Sequence, residues 1–423
     1  MSNAHVQYLL IGGGLASSSA AEEIRRIDPR GSILLVGGEI SSPYHRPPLS
    51  KEFLRRQKSR AELFVRPRDW FEQQRVTLRT ACRAAHLDAT RMSATLASGE
   101  EISFDHALLA TGGSPARLQI PGADLPNVFY FRALQDAEQL QMAIDKAKAE
   151  GRLHARGRGQ AVVVGGGVLG VEIAASLAAS GLAVTLLLAR KHPWDKFAGE
   201  NTGGVLLRFL ANHGVNVLPE SAPLRIEGDG RVQRVVADGK VIDADFVVAC
   251  VGMLANRELL RGTSITAERA ILTDEYCQTN VPGIWAAGDC AAIFDPLFGK
   301  HRLLDHWDHA RVCGALAGRN MAGKREAYSA VNNFFSDVFD LSLNGWGESR
   351  LVERRLLRGS ANPDAPDFIE IGIAADGRIA QALAINHSNE DDTLRSLVAQ
   401  RTRIDGNEEL LKDPATNLKL LLR

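Results

Sequence analysis

An α/β chain with two βαβ units of one pattern, followed by a smaller α+β region, is the fold class this sequence predicts. Three observations predict it. The first is residues 8–21, YLLIGGGLASSSAA, where a short apolar run enters a glycine cluster and small residues lead into a helix. The second is residues 161–178, AVVVGGGVLGVEIAASLA, which repeat that pattern. The third is a change of texture from residue 329, where short apolar stretches alternate with turn residues through NNFFSDVFDLSLNGWGE and DFIEIGIAADGRIAQALAIN.

The glycines carry the chemistry. Gly12 and Gly14 permit a tight turn and let the backbone approach a pyrophosphate, which the helix N-terminus behind them attracts with unpaired N–H groups and its positive dipole end. Ser17 stands at the third glycine position and is small enough for close helix–strand packing. The second unit has all three glycines, Gly165, Gly167 and Gly170. One such turn needs no ligand, but two in one chain point to two dinucleotides. In the first unit SILLV, 32–36, reads as the next buried parallel strand. Glu39 lies near the place where an acid takes a ribose hydroxyl, and a surface acid in a loop is the alternative. In the second unit the equivalent strand is AVTLLLA, 183–189. Leu188 occupies the ribose position, followed by Ala189, Arg190 and Lys191. Arg190 can accept a 2′-phosphate, and the missing acid argues against a simple NADH preference.

Between the two units, SSPYHRPPLSKEFL at 41–54 is stiffened by Pro43, Pro47 and Pro48, and Ser50 is expected to cap a helix starting at Lys51. Arg46 and Lys51 then project from a fixed frame, able to meet a pyrophosphate and the edge of a flavin ring; two incidental cations in a helix-capping loop are the alternative. FDHALLATGGSP, 104–115, is a buried strand ending in a turn with Thr111 and Gly112. A linker and a long helix lead to the second unit, and residues 212–252 read as antiparallel strands with turns at Asp229-Gly230 and Asp238-Gly239. TNVPGIWAAGDCAAI, 279–293, returns to the first domain and ends its strand in Gly288-Asp289. That carboxylate can accept a polyol hydroxyl, or cap a helix beginning at Cys290. The run GKHRLLDHWDHA, 299–310, gathers His301, His306 and His309 with Asp305 and Asp308. Spacing alone is a weak metal signal, so no metal is expected, and the run is read as leading into a helix, 310–322, whose N-terminus faces a cofactor. The organisation is therefore two Rossmann-like dinucleotide-binding domains plus a C-terminal α+β domain. The first domain is discontinuous, 1–115 and 246–328, the second covers 116–245 and the last 329–423.

Composition narrows the function. At 423 residues with zero net charge, the chain is sized for several cores and shows no global pull toward nucleic acid or membrane. Basic clusters at 152–158 and 352–358 read as solvated loop or strand ends. The five cysteines, Cys82, Cys250, Cys277, Cys290 and Cys313, form no C-x-x-C or C-x₄-C pair, against a disulfide framework, a metal cluster or a redox-active disulfide. The first apolar run lacks the positive flank of a secretory signal, and a cytoplasmic protein is expected.

With both glycine turns, the ATGG turn and the AAGDC turn in this order, the chain resembles the two-dinucleotide-binding flavoprotein reductases. Arg46-Pro47-Pro48-Leu49-Ser50-Lys51 is most similar to the ferredoxin reductase and apoptosis-inducing-factor branch. The resemblance implies FAD at Gly12, Gly14, Arg46, Lys51, Thr111 and Asp289, with Lys51 near the reactive flavin nitrogen. It implies NADH or NADPH at Gly165, Gly167 and Gly170, with Glu172 near the nicotinamide amide; otherwise Glu172 reads as a first-turn acid favoured by the helix dipole. His306 would contact the flavin, with Asp305 where the family usually has Glu. Phe335 would cover the ring where ferredoxin reductases usually have Trp. The implied activity is hydride transfer from the nicotinamide to the flavin, then single electrons to a carrier such as a small iron–sulfur protein, with Lys51 stabilising developing negative charge. The other reading is a slow, NAD(P)H-responsive redox sensor. The oligomeric state, monomer or homodimer, is left open.

Overall fold

The computed structural model describes residues 4–153, 157–404 and 406–422, so residues 154–156 of the first basic cluster fall outside it. The chain folds as two compact units, one of Met1–His45, Arg60–Ser114 and Met253–Asn332, the other of Arg46–Ser59, Pro115–Gly252 and Asn333–Arg423.

The first unit is built on a seven-stranded sheet. Its parallel part runs Val76–Arg79, Ile33–Val36, Ala4–Ile11, Glu101–Leu109, with Ile284–Ala286 also pairing in parallel with Glu101–Leu109. The strand centres are wholly apolar, as two covered faces require: Leu9, Leu10, Leu35 and Leu108 are fully buried. Helix Leu15–Ile27 packs on helix Trp307–Met321 through a stripe of small residues. A Cβ at Gly314 would come within 2.3 Å of the Ala16 carbonyl oxygen, and one at Gly318 within 2.5 Å of that of Ala20. Only glycine lets these two backbones lie so close.

The second unit holds two five-stranded sheets. The parallel one runs Val215–Leu218, Ala183–Leu187, Gln160–Val164, Phe246–Ala249, Val128–Tyr130. Val215–Leu218 and Phe246–Ala249 were expected to be antiparallel; they join this parallel sheet instead, and only Pro223–Glu227, Arg234–Ala237 and Lys240–Asp243 form the antiparallel meander. Short apolar runs fit either ladder, and here the buried crossover arrangement wins. The C-terminal sheet is antiparallel, from Asn333–Val338 at one edge to Val352–Ser360 at the other. Helix Asp391–Ala399 covers it through Leu394, Leu397 and Val398.

Candidate functional site

In the first unit the sheet delivers several predicted residues to one place. Gly12 has φ +130, and a Cβ there would sit 2.0 Å from the Ala110 carbonyl oxygen and 3.1 Å from the Thr111 amide nitrogen. The first glycine turn therefore abuts the ATGG turn. Gly14 is the N-cap of helix Leu15–Ile27 and offers no side chain to its first-turn amides. The Thr111 hydroxyl donates to the Asn256 carbonyl at 2.8 Å, and Gly112 is in the left-handed region at φ +67. Gly288, φ +77, packs between Ala16 and Ala310, 3.4 and 3.7 Å from where its Cβ would be. The Gly288-Asp289 turn thus lies against the first turns of both packed helices. His306 caps the second of these helices with extended backbone, and burial pushes its imidazole pKa down, against the opposing pull of Asp305 and Asp289. Glu39 is half-buried and accepts the Tyr44 hydroxyl at 2.6 Å.

Two details of this unit differ from expectation. Cys290 opens no helix: the chain enters strand Ala291–Asp295, so Asp289 is not a helix cap. Helix formation begins at Trp307 rather than 310, and Trp307 donates its indole N–H to His45 at 3.0 Å.

In the second unit the turn repeats in its main features. Gly165 has φ +118, and a Cβ would meet the Cys250 carbonyl oxygen at 2.2 Å; Gly167 caps helix Val168–Ala179, and a Cβ there would meet nothing within 4 Å. A Cβ at Gly170 would come within 2.0 Å of the Gly165 carbonyl oxygen. Leu188 is buried and its Cδ2 lies 2.6 Å from where Gly166 would carry a Cβ, so it packs on the turn. Arg190 is largely exposed, 3.6 Å from the Asp195 carboxylate.

The same unit contains a charged cluster. Lys51 is only 3 % exposed; its Nζ lies 2.7 Å from Asp337, 3.7 Å from Glu172 and 4.9 Å from the centre of the Phe335 ring. Glu172 accepts the Ser50 hydroxyl at 2.5 Å and the Ser336 hydroxyl at 2.9 Å. Burial pushes the Glu172 carboxyl pKa up, while Lys51 and the two hydroxyls draw it back. Arg46 donates to the Arg132 carbonyl at 2.9 Å. Two expectations are corrected here. Ser50 caps no helix: Pro47–Ser50 is a 3₁₀ turn, because consecutive prolines favour a tight turn, and the serine hydroxyl serves Glu172. Glu172 is not a first-turn acid; helix Val168–Ala179 starts four residues earlier, and the side chain is buried in the cluster. Ser336 and Asp337 were missed as functional groups, although the FFSD run that carries Phe335 also carries them.

These residues fit the two dinucleotides. Both helices start at a glycine with open space in place of a Cβ, leaving first-turn amides for an anion. In the first unit the Ser17 and Ser18 hydroxyls are buried with no protein partner. The five cysteines are free thiols, and burial pushes that of Cys250 up to about 12. Among the described residues no His, Cys, Asp or Glu group is placed to hold a metal ion, and no helix is long and apolar enough to cross a membrane.

Residues 6–314 match the pyridine nucleotide-disulphide oxidoreductase family and residues 333–422 the reductase C-terminal domain. The match to the first family spans both glycine turns. The ferredoxin–NAD(+) reductase component of the p-cumate 2,3-dioxygenase system of Pseudomonas putida is 30% identical over 97% of each chain. The structure of a ferredoxin reductase from Rhodopseudomonas palustris superposes with a TM-score of 0.91 at 26% identity, covering 99% of this chain and 100% of that one. The covalent putidaredoxin reductase–putidaredoxin complex gives 0.90 at 26% identity, covering 99% and 98%. The chain belongs to the pyridine nucleotide-disulphide oxidoreductase family, and its residues 333–422 match a reductase C-terminal domain.

Proposed function

We propose that this chain is an FAD-dependent NAD(P)H oxidoreductase that passes electrons from a nicotinamide coenzyme to a one-electron carrier such as a ferredoxin. The observation that carries this is the duplicated glycine turn, within a chain whose full-length relatives include ferredoxin–NAD(+) reductase components. FAD, when bound, accepts a hydride and releases its electrons singly. From the family resemblance, Gly12, Gly14, Ser17, Glu39, Arg46, Lys51, Thr111, Gly112, Gly288, Asp289, His306 and Phe335 are assigned to FAD. Gly165, Gly167, Gly170, Glu172 and Arg190 are assigned to the coenzyme. Lys51 is a buried cation held by two carboxylates, a preorganised group suited to developing negative charge. Glu172 holds Lys51 in place and is itself fixed by Ser50 and Ser336. We place the enzyme in the cytoplasm, a reading supported by five free thiols without a disulfide.

The test is anaerobic stopped-flow reduction of the purified yellow protein by NADH and by NADPH, followed by addition of an oxidised ferredoxin. Bleaching on the order of tens of milliseconds with either coenzyme, then rapid reoxidation by the carrier, is expected. Reduction over minutes that no carrier accelerates would refute this reading and favour the sensor.

A further inference from the structure

We propose that Glu370, in the C-terminal sheet, is a positioning residue for the coenzyme. It fixes the segment 188–199 that follows the second strand of the coenzyme unit. The inference rests on the reading of the second glycine turn as the coenzyme site.

Glu370 is 1 % exposed, a burial that a carboxylate tolerates only when its oxygens are fully supplied with donors. They are. The Gly199 amide donates to both oxygens, at 3.0 and 3.1 Å, the Thr202 hydroxyl at 2.5 Å and Arg355 at 2.6 Å. Gly199 is the N-cap of helix Glu200–Asn212 and brings no side chain of its own, so the cap comes from a distant strand. Its lack of a Cβ is what admits the ion pair: a Cβ there would lie 2.6 Å from Arg355 Cδ and 3.0 Å from Glu370 Oε2.

The C-terminal sheet and the 3₁₀ turn Ser349–Leu351 beside it hold the segment at two further points. The Ser349 hydroxyl donates to the Lys196 carbonyl at 3.2 Å, and Phe197 meets Phe334 edge-on at 5.1 Å. At its other end the segment grips the glycine turn itself. The Trp194 amide donates to the Gly166 carbonyl at 2.8 Å, and Leu188 packs on Gly166. Exposed Arg190 and Lys191 sit between these anchors, next to the ribose position. The segment is therefore clamped between the turn that takes the pyrophosphate and a buried charge on the C-terminal sheet. Loosening the far anchor shifts the residues that meet the adenosine half of the coenzyme. That half takes no part in hydride transfer, so affinity falls while the chemical step does not.

Glu370→Gln and Thr202→Val are compared with wild type as holoenzymes. Three quantities are read: NAD⁺ and NADP⁺ dissociation constants by calorimetry, tryptic cleavage after Arg190, Lys191 and Lys196, and the flavin reduction rate at saturating coenzyme. For Glu370→Gln the dissociation constant is expected to rise about 3- to 10-fold and cleavage in the segment to rise with it, with the saturated rate held within about 2-fold. Thr202→Val keeps the charge and removes one donor, so it shows a smaller change in the same direction, and decides the matter if Glu370→Gln fails to accumulate. An unchanged dissociation constant in a folded variant overturns the proposal, as does cleavage rising equally at sites throughout the chain. Wild-type protein that binds neither coenzyme would instead refute the coenzyme reading of this unit, and the proposal falls with it.

Discussion

The two glycine turns have the same backbone and different surroundings. Gly12 and Gly165 each donate their amide to the last residue of the neighbouring strand, Val36 at 2.8 Å and Leu187 at 2.9 Å, and each presses on the carbonyl of the residue just past another strand, Ala110 or Cys250. They part company at two positions. The first residue past the second strand is Gly37 in one and Leu188 in the other. Gly37 lets its backbone touch Gly13, with a Cβ placed only 2.8 Å from the Gly13 Cα, while Leu188 fills the equivalent space over Gly166 with its side chain. The third fingerprint position is buried Ser17 in one and Gly170 in the other. Backbone geometry is thus fixed by the turn, whereas the residues around it are free to suit two different ligands.

Breaking each turn should separate the two functions. Gly165→Val forces a side chain into a left-handed conformation against the Cys250 carbonyl. We expect a protein that keeps its flavin absorbance but is reduced by NAD(P)H at least about 100-fold more slowly. Gly12→Val should instead abolish flavin retention, read as loss of the yellow absorbance on purification. If both variants lose flavin equally, the division of labour between the turns is wrong.

The next effect sharpens the contrast at the third position. Gly170→Ala would place a methyl 2.0 Å from the Gly165 carbonyl oxygen and should cost about 2–4 kcal/mol by thermal or denaturant unfolding. Ser17→Ala removes a hydroxyl with no protein partner and should cost less than about 1 kcal/mol in the flavin-free protein. Similar losses at the two sites would show that the third position is equivalent in both turns.

One buried titratable group from each unit, His309 and Glu172, contributes a pH dependence of opposite sign. In the first unit burial holds the His309 pKa down at about 4, below its ordinary 6.5. The unfolded chain therefore binds more protons between these values, and stability present above 6.5 is lost as pH falls toward 4, on the order of 3 kcal/mol in all. In the second unit Glu172 is raised by burial, so the folded state binds the extra proton. Its contribution is favourable at low pH and is lost as pH rises from the ordinary carboxylate range through the raised value. His309→Gln should flatten the acid limb of a melting-temperature profile, and Glu172→Gln the opposite slope. Lys51→Met should steepen the Glu172 slope, since Lys51 is the main group opposing its rise. A profile unchanged by these substitutions would remove both groups as its source.

The smallest expected effect tests Leu188. Leu188→Glu introduces an acid at the proposed ribose position and should shift the ratio of NADH to NADPH efficiency toward NADH by about tenfold, roughly 1.4 kcal/mol. No shift would place coenzyme choice elsewhere on the segment 188–199.

Much of this was readable from residue order. The glycine spacings of both turns, the ATGG and GDC turns at strand ends and the apolar strands between them follow from local conformational limits: a turn of that shape admits only glycine at Gly12 and Gly165 whatever surrounds it. Lys51, Glu172 and Phe335 were named as site residues because motifs carry them. Their partners were not legible in the same way. That Ser50 serves Glu172 rather than a helix, that Ser336 and Asp337 complete the cluster, and that Glu370 caps a helix beginning 170 residues earlier all depend on contacts between strands and helices far apart in the chain. The choice between parallel and antiparallel pairing for Val215–Leu218 and Phe246–Ala249 had the same origin, since an apolar run does not encode its neighbour. Sequence by itself determined where the backbone must turn and which ligands those turns suit. Tertiary structure alone decided which buried charges meet, because a carboxylate removed from water must find its donors wherever the fold brings them.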